Sequence, residues 1–377
     1  MNRVFAISVV AFALSAIGAP AFDADDFLAR ISKMSPTTPQ TEMASIAKIA
    51  KENGKAVADA LANRLLDKSI KDDEKVAIAW ILDLAKQKSS IPALLDVAKT
   101  ASPTSTLYQA TLRTLADIGG DEVGEVLLKS YRQNASKMSA EQRFDAMQSL
   151  AKLRFAPALK DAEEFLKVDP ERYYWQVYFI FGFFDDLAVP LLCEKLNDAN
   201  GTVRTNALGA IRFLMPNSDA LTKALLKRLE SEKAPDIRYQ LVETLEWTVL
   251  GMGEGGSEKL KDVFGELLKS EAKGSAAAKF MRESVESQGE MARMRERFRP
   301  NAEKFNAAYR TLLDGGVHLN RSREAAQNIL TCATPSDIPK LKELRRRVLD
   351  RQSDECFSDY QALTRIIQMV RVAGGGK

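Results

Sequence analysis

The chain has 377 residues, 45% hydrophobic and 28% charged, with 54 Lys and Arg against 51 Asp and Glu for a net charge of +3. This balance suits a folded protein large enough for one repeat array or two domains, and it excludes an extended disordered chain. A single histidine, His318, removes most metal and acid–base chemistry that relies on imidazole.

The chain opens on Met1-Asn2-Arg3, continues with an apolar run from Val4 to Ile17, and reaches Ala19-Pro20-Ala21 just before the acidic Phe22-Asp23-Ala24-Asp25-Asp26. A short basic start, an apolar run shorter than the roughly 20 residues that span a bilayer, and a small-x-small site are the parts of a secretory leader. The expectation is a signal peptide over 1–21 cleaved after Ala21, and a periplasmic or secreted mature chain with no transmembrane segment. An uncleaved anchor is the alternative. Export also takes the chain away from nucleic acid as a partner.

Residues 22–40 read as a lead-in. From Thr41 to about Leu250, apolar residues recur at three- and four-residue spacing with no strand-like alternation, which predicts an all-α chain. Ser139 with Gln142 has the pattern of a capping box, and Asp169-Pro170 places proline just inside a helix start. One apolar anchor per helical hairpin recurs at Leu84, Leu115, Leu150, Phe181, Ile211 and Leu245, about 30 to 35 residues apart. A second recurrent element, Ile91-Pro92, Ala156-Pro157 and Val189-Pro190, opens the partner helix, where proline loses no internal hydrogen bond.

The run Val189-Pro190-Leu191-Leu192, through Leu196-Asn197-Asp198, to Val203-Arg204, Ala207-Leu208 and Ala210-Ile211 resembles a HEAT repeat along its length, and Asp236-Ile237-Arg238 with Leu241 and Leu245 matches in part. The resemblance to the HEAT family covers residues 41–250 and implies an α-solenoid of stacked hairpins that serves as a scaffold or binding surface. Some HEAT-like relatives are lyases or chaperone-type factors that handle chromophores, and this is kept as the alternative. The branch that holds iron on His-Glu pairs does not fit a chain with one histidine.

The rhythm breaks at Gly251-Met252-Gly253-Glu254-Gly255-Gly256. Residues 251–377 read as a divergent helical cap, with a separate helical domain as the alternative. Basic residues gather there at Arg293, Arg295, Arg297 and Arg299, and again at Lys342, Arg345, Arg346, Arg347 and Arg351. A solvated face is one reading of them. Contact with an acidic protein or an anionic envelope polymer is the other, with Arg345, Arg346 and Arg347 as candidate contacts.

The segment Tyr173-Tyr174-Trp175-Gln176-Val177-Tyr178-Phe179-Ile180-Phe181-Gly182-Phe183-Phe184 is apolar around its circumference. Helical spacing puts Tyr173, Val177, Ile180 and Phe184 on one face and Trp175, Phe179 and Phe183 on the other. It reads either as an inner helix covered on all sides or as a partner anchor through Trp175, Phe179 and Phe183.

Three cysteines are present. Cys332 and Cys356 are the candidate disulfide, although a helix of about 14 residues, capped by Ser336, would hold them about 20 Å apart. Cys193 reads as a small apolar core residue. Asn134, Asn200 and Asn320 stand in Asn-x-Ser/Thr triplets. No catalytic residue, metal ligand or cofactor site is expected, and the chain reads as a non-enzymatic protein-binding scaffold of the cell envelope.

Overall fold

The computed structural model describes residues 22–34, 38–252, 255–287, 298–351 and 354–374. The predicted leader lies outside the described residues, as do Arg293, Arg295 and Arg297.

Every regular element among the described residues is helical, and the fold is a HEAT-like α-solenoid of stacked hairpins. The first compact unit runs to Ala162. It holds α1 (Ala24–Ile31), α2 (Gln40–Glu52), α3 (Gly54–Leu66), α4 (Asp72–Ala85), α5 (Ile91–Thr100), α6 (Thr106–Ile118), α7 (Asp121–Asn134), α8 (Ala140–Lys152) and the single turn α9 (Leu159–Ala162). The second begins at Glu163. It holds α10 (Pro170–Phe184), α11 (Val189–Lys195), α12 (Gly201–Leu214), α13 (Asp219–Ser231), α14 (Pro235–Leu250), α15 (Gly256–Ser270) and α16 (Ala276–Glu286). Two further hairpins follow: α17 (Ala302–Asp314) with α18 (Arg323–Cys332), and α19 (Ile338–Leu349) with α20 (Asp354–Gly374).

Helix starts follow local chemistry. Ser139 and Gln142 form the predicted capping box, and the side chains of Ser105, Asp169, Asn200, Ser218, Ser275 and Asn301 each accept a first-turn N–H. The sequence reading missed one recurrence of the proline element: Ile338-Pro339 opens α19. There Thr334 and Asp337 make the capping box, whereas Ser336, the expected cap, lies inside the preceding turn.

Within the first unit α2, α4, α6 and α8 stack as one layer and α3, α5 and α7 as the other. Within the second, α10, α12, α14 and α16 form a layer, with α11 and α13 behind it. Side-chain bonds spaced roughly one repeat apart in sequence join successive helices of a layer. Thr114 Oγ1 donates to the Ala79 carbonyl at 2.9 Å and Lys152 Nζ to Asp117 at 3.3 Å, each 35 residues apart, and Arg212 reaches Glu243, 31 residues on, at 2.5 Å.

Leu115, Leu150, Phe181, Ile211 and Leu245 are fully buried. Leu84 is only half-buried, and Ile81 and Leu82 take its place in the core. The stretch Pro170–Lys195 has the length and mean hydropathy, 1.4, of a bilayer span. Here its apolarity serves packing: it is broken by a 3-10 turn at Asp185–Ala188, and its central rings pack on neighbouring helices.

Candidate partner-binding surface

Helix α10 is exposed at its first turns and progressively enclosed toward its end. Val177, Ile180, Phe181, Phe183 and Phe184 are buried, whereas Tyr173, Tyr174, Trp175, Tyr178 and Phe179 remain half-buried. Phe183, expected to face a partner, is 1% exposed and is a core residue. Neighbouring helices come close to α10 at that end: a Cβ at Gly182 would lie 2.8 Å from the Phe213 ring of α12 and 3.2 Å from Leu349 of α19.

The exposed end is an aromatic cluster. Trp175 meets Tyr174 at 4.6 Å between ring centroids and meets Phe357 of α20 edge-on at 4.2 Å. Phe213 stacks on Tyr178 at 5.8 Å, on Phe357 at 5.9 Å and on Tyr360 at 4.0 Å with an interplanar angle of 2°. Such ring pairs contribute about 0.5–1.5 kcal/mol each beyond the area they bury. Tyr174, Trp175, Tyr178 and Phe357 keep part of their surface open, so they form a continuous half-exposed aromatic edge.

The basic stretch of α19 is not the solvated face that its charge suggested. Arg345 is 5% exposed; its Nη2 donates to Asp185 Oδ1 at 2.7 Å, its Nη1 to the Leu214 carbonyl at 3.1 Å, and its guanidinium lies 5.1 Å from the Tyr360 ring centroid. Leu214 ends α12, so the cation also meets the negative end of a helix. Lys342 pairs with Asp186 beside it. Burial alone would raise the Asp186 carboxyl, yet the hydrogen bond and charge of Lys342 hold it below its usual range. Arg346 is half-buried, and Arg347 is exposed with Glu343 at 4.0 Å. The two features read as separate partner contacts, the aromatic helix and the basic helix, therefore hold each other.

Local costs gather at this junction. Asp185 has φ +54° and ψ −131°, a conformation L residues seldom adopt, which costs about 1–3 kcal/mol. The Tyr360 hydroxyl and the Gln368 Oε1 are buried with no hydrogen-bond partner among the described residues, at about 1–3 kcal/mol each. Arg371 is held below its usual value by burial, then by the charge of Arg345.

Cys332 and Cys356 are both buried, and no disulfide joins them among the described residues. Cys193 is a half-buried thiol whose pKa burial pushes up to about 11, so it is not a thiolate at neutral pH. Asn200 caps α12, and Asn134 closes α7 by donating to the Ser130 carbonyl at 2.9 Å. Among the described residues no group of three or more His, Cys, Asp and Glu is placed to hold a metal.

One polar constellation went unnoticed in the sequence. In the first unit Asp83 of α4 lies beside Asp117 of α6, with Lys86 at 2.7 Å from Asp83 and Lys152 of α8 at 3.3 Å from Asp117. Burial, then the Asp117 charge, raises the Asp83 carboxyl to about 6. Asp117 and Lys152 occupy equivalent repeat positions 35 residues apart, and a charge recurring at the repeat period was the available signal.

No known family profile matches the chain, and no curated protein does. Solved structures do. The complex of CpcE and CpcF of phycocyanin lyase from Nostoc is 13% identical, with a TM-score of 0.33, covering 74% of this chain and 99% of that one. An engineered protein is 13% identical, with a TM-score of 0.35, covering 91% of this chain and 98% of that one. The expectation of a non-enzymatic chain is corrected at this point: a phycocyanin lyase stands among the structures to which it is similar.

Proposed function

We propose that this chain is a HEAT-like factor that holds a protein partner and acts on it, or on a group it carries, in the manner of lyase or chaperone-type proteins. The observation that carries the binding part is the aromatic edge of Tyr174, Trp175, Tyr178 and Phe357, since half-buried Trp and Tyr held rigid by their neighbours are the usual anchors of an interface. The phycocyanin lyase structure is described as a complex of two proteins, which is the same kind of role, but the proposal rests on the edge and not on that likeness. Export under a leader over residues 1–21 is part of the proposal. The test is a photoreactive residue in place of Tyr174, irradiated in the native compartment. A discrete crosslinked protein, lost when Trp175→Ala is added, supports the reading; crosslinks equal to those from an exposed control site such as Lys279 would refute it.

A further inference from the structure

Helix α14 carries charge of one sign on one face. Its buried stripe includes Leu241, Val242, Leu245 and Val249, and the half-buried Tyr239, Gln240, Glu243, Glu246 and Trp247 lie outside that stripe. Tyr239, Glu243 and Glu246 stand at i, i+4 and i+7, so one face holds the ring and both carboxylates. The basic residue of α14, Arg238, is turned away from them. It pairs with Glu271 and donates to the Leu229 carbonyl at 2.6 Å and the Glu232 carbonyl at 2.7 Å.

Neighbouring helices supply one cation to this face. Arg212 of α12 reaches Glu243 at 2.5 Å, whereas Lys279 of α16 lies 3.8 Å from Glu283 and Arg282 donates to the Lys273 carbonyl at 2.7 Å. Glu246 accepts from the Ser284 hydroxyl of α16, and among the described residues no Lys or Arg pairs with it. Burial raises the Glu246 carboxyl, the Ser284 hydrogen bond offsets part of that, and the Glu243 charge raises it further. Rings flank the two carboxylates. Tyr239 meets Phe280 of α16 edge-on at 5.5 Å. On the α12 side the Tyr178 hydroxyl lies over Gly209, where a Cβ would be 2.0 Å from it, and Arg212 follows three residues later. Through Gly209 and Arg212 the aromatic edge of α10 therefore continues to the face of α14.

We propose that the face of α14 binds a basic segment of the protein partner, whose Lys or Arg side chains pair with Glu243 and Glu246 and lie against the Tyr239 and Phe280 rings. Charge complementarity argues for this occupant. Two carboxylates share one internal cation, and aromatic faces attract a second. An acidic or purely apolar segment would instead bury Glu246 further without a partner for its charge. The inference rests on the partner-binding reading above and adds the partner's chemistry to it.

The probe is a fluorescein-labelled hexa-arginine peptide, read by anisotropy against the full chain at about 50 mM salt, where exposed charges are weakly screened. The chain carries a net charge of +3, so overall electrostatics works against this probe. Saturable binding is expected. Glu246→Gln, which can keep the Ser284 bond, should weaken it at least about five-fold, and Tyr239→Leu about two- to three-fold, with thermal melts showing both variants folded. Glu230→Gln, exposed on α13 of the other layer, should leave it unchanged. No binding, or equal losses for Glu230→Gln and Glu246→Gln, would overturn the basic segment. The partner-binding reading fails separately: a discrete Tyr174 crosslink with no hexa-arginine binding would sink this inference and keep that reading.

Discussion

Arg345 and Asp185, 160 residues apart in sequence, meet at 2.7 Å in an ion pair with both side chains less than a tenth exposed. Arg345→Glu would bury a second carboxylate against Asp185 and leave the Leu214 carbonyl without its cation. The expected loss is about 3–5 kcal/mol, the range for breaking a buried pair at one end. Arg347→Glu, on the exposed side of the same helix, should change stability by less than about 0.5 kcal/mol. Urea melts of the two single variants check this; equal losses would mean that Arg345 is solvated.

Trp175 and Val177 separate the edge of α10 from its core. Val177 is fully buried, so Val177→Ala should cost about 2 kcal/mol. Trp175 keeps part of its surface open, and Trp175→Ala should cost about 1–2 kcal/mol, below the 3–5 of a fully buried aromatic. Its partner ring gives a sharper check. Trp175→Ala combined with Phe357→Ala should cost less than the sum of the singles by about 0.5–1.5 kcal/mol, and strict additivity would remove the ring contact.

The Asp83 carboxyl supplies a pH dependence whose sign is fixed by its direction of shift. Its pKa, about 6 in the fold, exceeds the ordinary value of 3.8. Below about pH 3 both folded and unfolded chains hold the proton and there is no penalty. Between about pH 4 and 6 the unfolded chain ionises while the folded one keeps its proton, so stability falls as pH rises, and the penalty is complete above about 6. Asp83→Asn should therefore come within about 0.5 kcal/mol of wild type at pH 4 and exceed it by about 2–3 kcal/mol at pH 7.5, at roughly 1.4 kcal/mol per pKa unit. Denaturant titrations at the two pH values check it, and a gain of equal size at both would assign the effect to something other than ionisation.

Gly182 marks the closest approach of three helices. A methyl group there would press on Phe213 and Leu349, both buried, so Gly182→Ala should destabilise the chain despite alanine's better helix propensity. Gly265, with nothing within 4 Å of an added Cβ, is the control, and Gly265→Ala should stabilise by about 0.5–1 kcal/mol. Thermal melts in which both variants shift the same way would contradict the packing described.

Much of the fold was legible because a solenoid repeats its own pattern. The anchors Leu115, Leu150, Phe181, Ile211 and Leu245, the Ser139 box and the proline-led helices all report local rules that a stacked hairpin must obey. Contacts distant in sequence were not legible. Leu341, Leu344 and Val348 form the buried stripe of α19, and Arg345, four residues after Leu341 and three before Val348, falls on that stripe. The spacing placed it inward, but charge alone suggested solvent, and only Asp185 beyond the aromatic helix explains how a cation can be there. Phe183 failed for the converse reason: helical spacing assigns a face, and it does not say that α19 and α12 come close to α10 at that end.

The aromatic helix and the basic helix bind each other through Asp185 and Arg345. A double-mutant cycle of Asp185→Ala and Arg345→Met, measured by urea unfolding, reads that bond. Each single variant should cost about 3 kcal/mol or more, and the double variant at least about 1.5 kcal/mol less than their sum, because removing both partners leaves no buried charge unpaired. Single effects that add within about 0.5 kcal/mol would contradict it.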